Sequence, residues 1–184
     1  MRRVNSATAP LLVSLLCLAM SQAATSLPRI IGLSKQDTFA RAGISPAQQS
    51  KIAKLIEESS ADWERSRITQ MRARRVSLSS GQMDGLVLHA TAPQDCGGTG
   101  NCMLAVLRRQ GSHWQVILSD AFADGFGFSR TTHNGLYDLA LSANESADSS
   151  SVTLLAFDGS RYRSSKCFQV VGKVAKPVAC SSAP

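Results

Sequence analysis

Glutamate is scarce in this 184-residue sequence: only Glu57, Glu58, Glu64 and Glu145 occur, three of them on one short segment. Histidine is rarer, with His89, His113 and His133 the whole supply. No Gly-x-Ser-x-Gly elbow is present, so a hydrolase of that kind has no signature here. Aromatic residues make up 5% of the chain and few of them accompany its arginines, which argues against base stacking on single-stranded nucleic acid. Beyond residue 23 no segment stays apolar for the eighteen residues that a membrane-spanning helix needs. The cysteines lack the two-residue spacing of a zinc knuckle. Ser129-Arg130-Thr131-Thr132, before His133, lacks the acidic and amide ligands of a calcium loop. Gly125-Phe126-Gly127-Phe128 has no third glycine and no phosphate-binding lysine, and reads as a flexible apolar loop. No metal or cofactor is expected.

What is present begins with an export signal. Arg2 and Arg3 precede a short apolar core over residues 11–20, and Ser21-Gln22-Ala23 is a small-x-small site that places cleavage before Ala24. Cys17 falls in the discarded peptide. The expected mature chain of 161 residues suits one domain, soluble and periplasmic or secreted. With Arg2 and Arg3 gone, eighteen basic residues face thirteen acidic ones, a net of +5. That balance favours anionic surfaces such as lipid headgroups or acidic glycans. Four cysteines remain, an even number that suits two disulfides in an oxidising compartment. Of three connectivities, local pairing is expected: Cys96 with Cys102 across three glycines and an asparagine, and Cys167 with Cys180 around Pro177.

Residues 24–43 read as an extended lead-in and 44–180 as a single α+β domain, with 181–184 a tail. Ser45, Pro46 and Gln48 form a helix start with a capping box, and Ile52, Leu55, Ile56 and Trp63 continue one stripe, which predicts a helix over 46–65. After Arg75 the period shortens. Apolar runs at 76–78, 86–90, 103–107, 114–118, 136–141, 152–157 and 162–171 alternate with turn signals such as Asn134-Gly135 and Asp158-Gly159. They predict an antiparallel β-meander of about seven strands, a curled sheet or a small sandwich, pinned by disulfides.

Thr99-Gly100-Asn101-Cys102, Asn134-Gly135-Leu136-Tyr137-Asp138-Leu139 and Asp158-Gly159-Ser160-Arg161-Tyr162 together resemble a β pattern of uncharacterised exported bacterial proteins. The resemblance spans roughly residues 96–167 and implies no activity.

Candidate chemistry is thin. Each histidine reads first as a structural residue, because nothing in the sequence orients it. A small hydrolase could be assembled from His133 with Asp138 or Asp120, yet Asp120 and Asp124 sit in what reads as turn chemistry. The strongest interaction feature is basic: Arg65, Arg67, Arg72, Arg74 and Arg75 fall within eleven positions. Guanidinium forks suit phosphates and carboxylates. Arg72, Arg74 and Arg75 are therefore the candidate binding residues, with side chains expected to point into solvent. The competing reading is a solvated face between helix and sheet. Together these features lead to an exported, non-enzymatic binding module. Its expected partner is an anionic envelope component or another periplasmic protein such as a cell-wall hydrolase, with the hydrolase as the alternative.

Overall fold

The computed structural model describes residues 26–60, 63 and 68–180. The expected signal peptide, Arg65 and Arg67 lie outside the described residues. Helix α1 spans Pro46–Ser59, and its start follows the sequence reading. The Gln48 amide donates to Ser45 Oγ at 3.3 Å, and the Ser45 amide donates to Gln48 Oε1 at 3.0 Å, closing both halves of the capping box. The end does not follow it. Ser59 Oγ donates to the Ile56 carbonyl at 2.7 Å, and Ser60 takes extended backbone angles, φ −161° and ψ 139°. Serine competes for backbone groups in this way and favours helix ends over helix interiors. Trp63 is buried all the same, outside the helix, with its indole N–H donating to Asp120 Oδ1 at 3.1 Å.

Nine strands follow among the described residues: β1 Arg72–Val76, β2 Gly85–His89, β3 Cys102–Gln110, β4 His113–Ala123, β5 Gly125–His133, β6 Leu136–Asn144, β7 Ser149–Phe157, β8 Tyr162–Val171 and β9 Val174–Val178. They form two antiparallel sheets in chain order, β1–β4 and β5–β9, rather than one curled sheet. Two of these strands, β5 and β9, add to the expected seven. The supposed flexible loop at Gly125-Phe126-Gly127-Phe128 is the first half of β5, and β1 begins four residues before Val76.

The sheets face each other across a shared core, where Val87, Leu104, Val106 and Ile117 meet Phe126, Leu136, Leu139 and Phe157. On the other face of the first sheet, Leu86, Leu88, Ala105 and Leu107 pack with Ile52, Ala53 and Ile56 of α1. Strands β2 and β3 are thus covered on both faces. That explains their unbroken apolar runs, since alternation marks a strand with one wet face.

The lead-in belongs to this body. Leu27 and Ile30 pack with Val152 and Phe168 outside the second sheet, Leu33 enters the shared core, and Phe39 and Ile44 join the helix layer. Ile31 pairs with Phe126 through backbone bonds of 2.7 and 2.9 Å, which covers the edge strand β5. Glycine is required at this crossing. A Cβ on Gly127 would collide with the Arg29 carbonyl oxygen, and one on Gly125 would sit 2.7 Å from Ile30 Cγ2.

The disulfides are Cys96–Cys102 and Cys167–Cys180, the local pairs. The first closes the glycine-rich loop before β3, and the second ties the chain after β9 back to β8. No helix among the described residues is long and apolar enough to cross a membrane.

Candidate functional site

Of the sequence candidates for catalysis, His133 and Asp138 come together and Asp120 does not join them. His133, at the end of β5, reaches across the Asn134-Gly135 turn to β6, where its Nδ1 lies 2.6 Å from Asp138 Oδ1. Asp138 is buried, whereas the His133 side chain is 50% exposed. A buried carboxylate orienting an exposed imidazole supplies two of the three parts of an acyl-transfer site. No serine hydroxyl among the described residues bonds to the imidazole. Asp120 serves elsewhere: it sits at φ +60° in a β-bulge of β4 and accepts the indole N–H of Trp63. The cleft beside it, about 470 Å³, is lined by Ser119, Asp120 and Ser160 through Arg163, without His133 or Asp138. His89 is buried, with Nε2 2.9 Å from the Ala123 carbonyl, as a structural histidine. Among the described residues no group of three His, Cys, Asp or Glu side chains gathers as a metal site.

The arginine run has a structural occupation that the sequence did not announce. Arg72, Arg74 and Arg75 lie on the edge strand β1, and each bonds the lead-in instead of projecting freely into solvent. Arg72 Nη1 donates to the Leu33 carbonyl at 2.8 Å. Arg74 grips Asp37 with Nε and Nη2 at 2.8 and 2.7 Å, the two-pronged geometry that a guanidinium gives a carboxylate. Burial pushes the Asp37 carboxyl up, but the Arg74 fork and donors from Ser34 outweigh it and hold the group below the usual carboxylate range. Arg75 Nε donates to the Ala42 carbonyl at 2.9 Å.

Arg75 also has a second contact. Its guanidinium carbon lies 4.8 Å from the centre of the Trp114 ring, within cation–π range. Trp114 is directly opposite Arg109 in the β3–β4 register, and both belong to the face of the first sheet that α1 covers. Burial, and then the charge of Arg109, push the Arg75 guanidinium below its ordinary range. Two like charges are therefore held close beside one indole.

A cleft of about 510 Å³ opens there between α1 and the β3–β4 hairpin. The helix contributes Gln48, Lys51, Lys54, Leu55 and Glu58, and the hairpin contributes Ser112, His113 and Trp114. Glu58 is the one acid in that lining, and it is paired with Lys54 at 3.6 Å. Lys51 and Arg109 make no ion pair among the described residues. Sequence reasoning passed over Lys51, Lys54, Arg109 and Trp114 because they are brought together by helix packing and strand register.

No family model matches this chain, and neither a curated protein nor a solved structure matches it.

Proposed function

We propose that this chain is a non-enzymatic binding module for an anionic partner, exported to the periplasm or beyond from a bacterial cell. One observation carries the reading: around Trp114 the fold gathers Arg75, Arg109 and Lys51, while the single acid in the cleft lining is already paired with Lys54. Unbalanced cations held beside an aromatic ring are held against their own repulsion, and a bound anion would relieve it. The two disulfides and the lack of a membrane-crossing helix among the described residues are consistent with an extracellular, non-membrane setting.

The test uses fluorine NMR on protein carrying 5-fluorotryptophan. The chain has two tryptophans, Trp63 and Trp114, so each reports separately. Polyglutamate, anionic oligosaccharides and phosphatidylglycerol vesicles form the panel. At least one is expected to shift the Trp114 resonance, with the effect fading as salt rises. Silence of Trp114 toward all three sinks the reading.

The His133–Asp138 contact supports the second reading, a small hydrolase in which Asp138 orients His133 as general base. Ester and amide substrates would then turn over in the wild type and not in His133→Gln.

A further inference from the structure

We infer that the cleft between α1 and the β3–β4 hairpin takes an anionic oligosaccharide of the uronic acid class, one sugar ring lying on Trp114 and its carboxylates meeting Arg109 and Lys51. The inference rests on the anion-binding reading above and names the ligand that reading leaves open.

Three features of the cleft select this class. The cations stand around an indole, so the ligand must present negative charge and a flat apolar patch side by side. A pyranose ring does so: its C–H face is apolar and covers an aromatic surface, and the carboxylate of a uronic acid lies at the ring edge. An acidic peptide carries its charges on flexible arms and has no such face. Secondly, the site is recessed. Trp114 and Leu55 are both partly buried between a helix and a hairpin, so neither projects toward a planar bilayer. A membrane surface would instead call for apolar side chains at a protruding tip. Thirdly, among the described residues Trp114 is the one indole or phenyl ring in the lining. Binding of single-stranded nucleic acid relies on successive stacking platforms.

Polar groups complete the fit. Gln48 and Ser112 line the cleft and offer hydrogen bonds to sugar hydroxyls. Arg75 is tied to the Ala42 carbonyl through Nε, so it acts as a fixed support for the indole. Arg109 is bonded through Nε to the Gly111 carbonyl at 3.0 Å, which leaves its two terminal nitrogens for a carboxylate. Cation and ring are thus both set before a ligand arrives, which lowers the ordering cost of binding.

The experiment is the same tryptophan-resolved NMR titration, with a galacturonic acid hexamer as the probe and its fully methyl-esterified form as the neutral control. The acid form is expected to shift Trp114 and leave Trp63 in place, and the ester to shift neither. Arg109→Gln and Lys51→Gln should each weaken binding by up to about fivefold, as loss of an exposed charge pair does. Lys51 is an exposed position on α1, so its variant keeps the test meaningful if Arg109→Gln fails to fold. Equal binding of acid and ester overturns the role of charge and with it the inference. A Trp114 shift with polyglutamate or phosphatidylglycerol vesicles, but not with the hexamer, overturns the sugar class and leaves the anion-binding reading standing. No shift with any of them overturns both.

Discussion

Arg109 lies directly across the β3–β4 ladder from Trp114, while Arg75 from the opposite edge of the same sheet rests 4.8 Å from the centre of that ring. Burial, and then the charge of Arg109, weaken the hold of Arg75 on its proton. Arrangements of this kind trade stability for a ready-made site. Arg109→Gln should accordingly show a salt-dependent effect on stability. The substitution removes the repulsion, of the order of 0.3 kcal/mol at low salt for charges in contact with solvent, and also the bond to the Gly111 carbonyl. Screening weakens the first and spares the second. Relative to wild type, the variant should become less stable as salt rises, measured by urea midpoints at low and high ionic strength. A difference independent of salt would show that the two guanidinium groups do not repel each other appreciably.

Gly127 is the tightest point of contact between lead-in and sheet. A methyl group there meets the Arg29 carbonyl oxygen, which is backbone and cannot step aside cheaply. Gly127→Ala should destabilise by about 1–3 kcal/mol, the usual cost of overpacking. It should also loosen the lead-in first. Hydrogen exchange at the Ile31 and Phe126 amides, which bond across this crossing, should accelerate before that of buried β2 and β3. Unchanged exchange at both amides would contradict the crossing.

How far the sequence could be read depended on the distance between cause and effect. The helix start was legible because Ser45 and Gln48 act within three residues, and the disulfides because each pair closes a short loop. The helix end was not. Trp63 keeps the apolar stripe seven residues past Ile56, so periodicity continues where the helix has stopped. Strand β5 was hidden because its glycines answer to Arg29 and Ile30, nearly a hundred residues earlier. The arginine run was visible as charge, but its bonds to Leu33, Asp37 and Ala42 span more than thirty positions. The cleft was out of reach for the same reason, since it needs the β3–β4 register and the packing of α1 on that sheet.

The Cys167–Cys180 bond holds the last described residue against β8, beside the exposed edge strand β9. Few buried side chains anchor that strand: Ala175 is its one partly covered position. The double change of Cys167 and Cys180 to Ala should therefore destabilise by roughly 2–4 kcal/mol and release β9 from the sheet. Peptide mapping without reductant checks the pairing, and limited proteolysis after Lys173 checks the release. Cleavage no faster than in wild type would mean that the β8–β9 ladder holds without its staple.

Asp37 and Arg74 fasten the lead-in to β1 through a two-pronged bond, and that bond carries a pH signature. The Asp37 carboxyl is held below its ordinary range when folded, despite the opposing effect of burial. A depressed folded value means that the charged form is favoured by the native state. Its contribution is complete above the unfolded value, near pH 4, and disappears as pH falls through the folded one. Both side chains are mostly shielded, at 15% and 30% exposure for Asp37 and Arg74, so the pair should be worth about 1 kcal/mol at neutral pH. Asp37→Asn should lose that amount at pH 7, and the gap between variant and wild type should close progressively below pH 4. Denaturation midpoints across that range measure it. A gap of the same size at pH 7 and at the acid end would show that the carboxylate charge contributes nothing, and that the lead-in is held by its other hydrogen bonds and its apolar contacts.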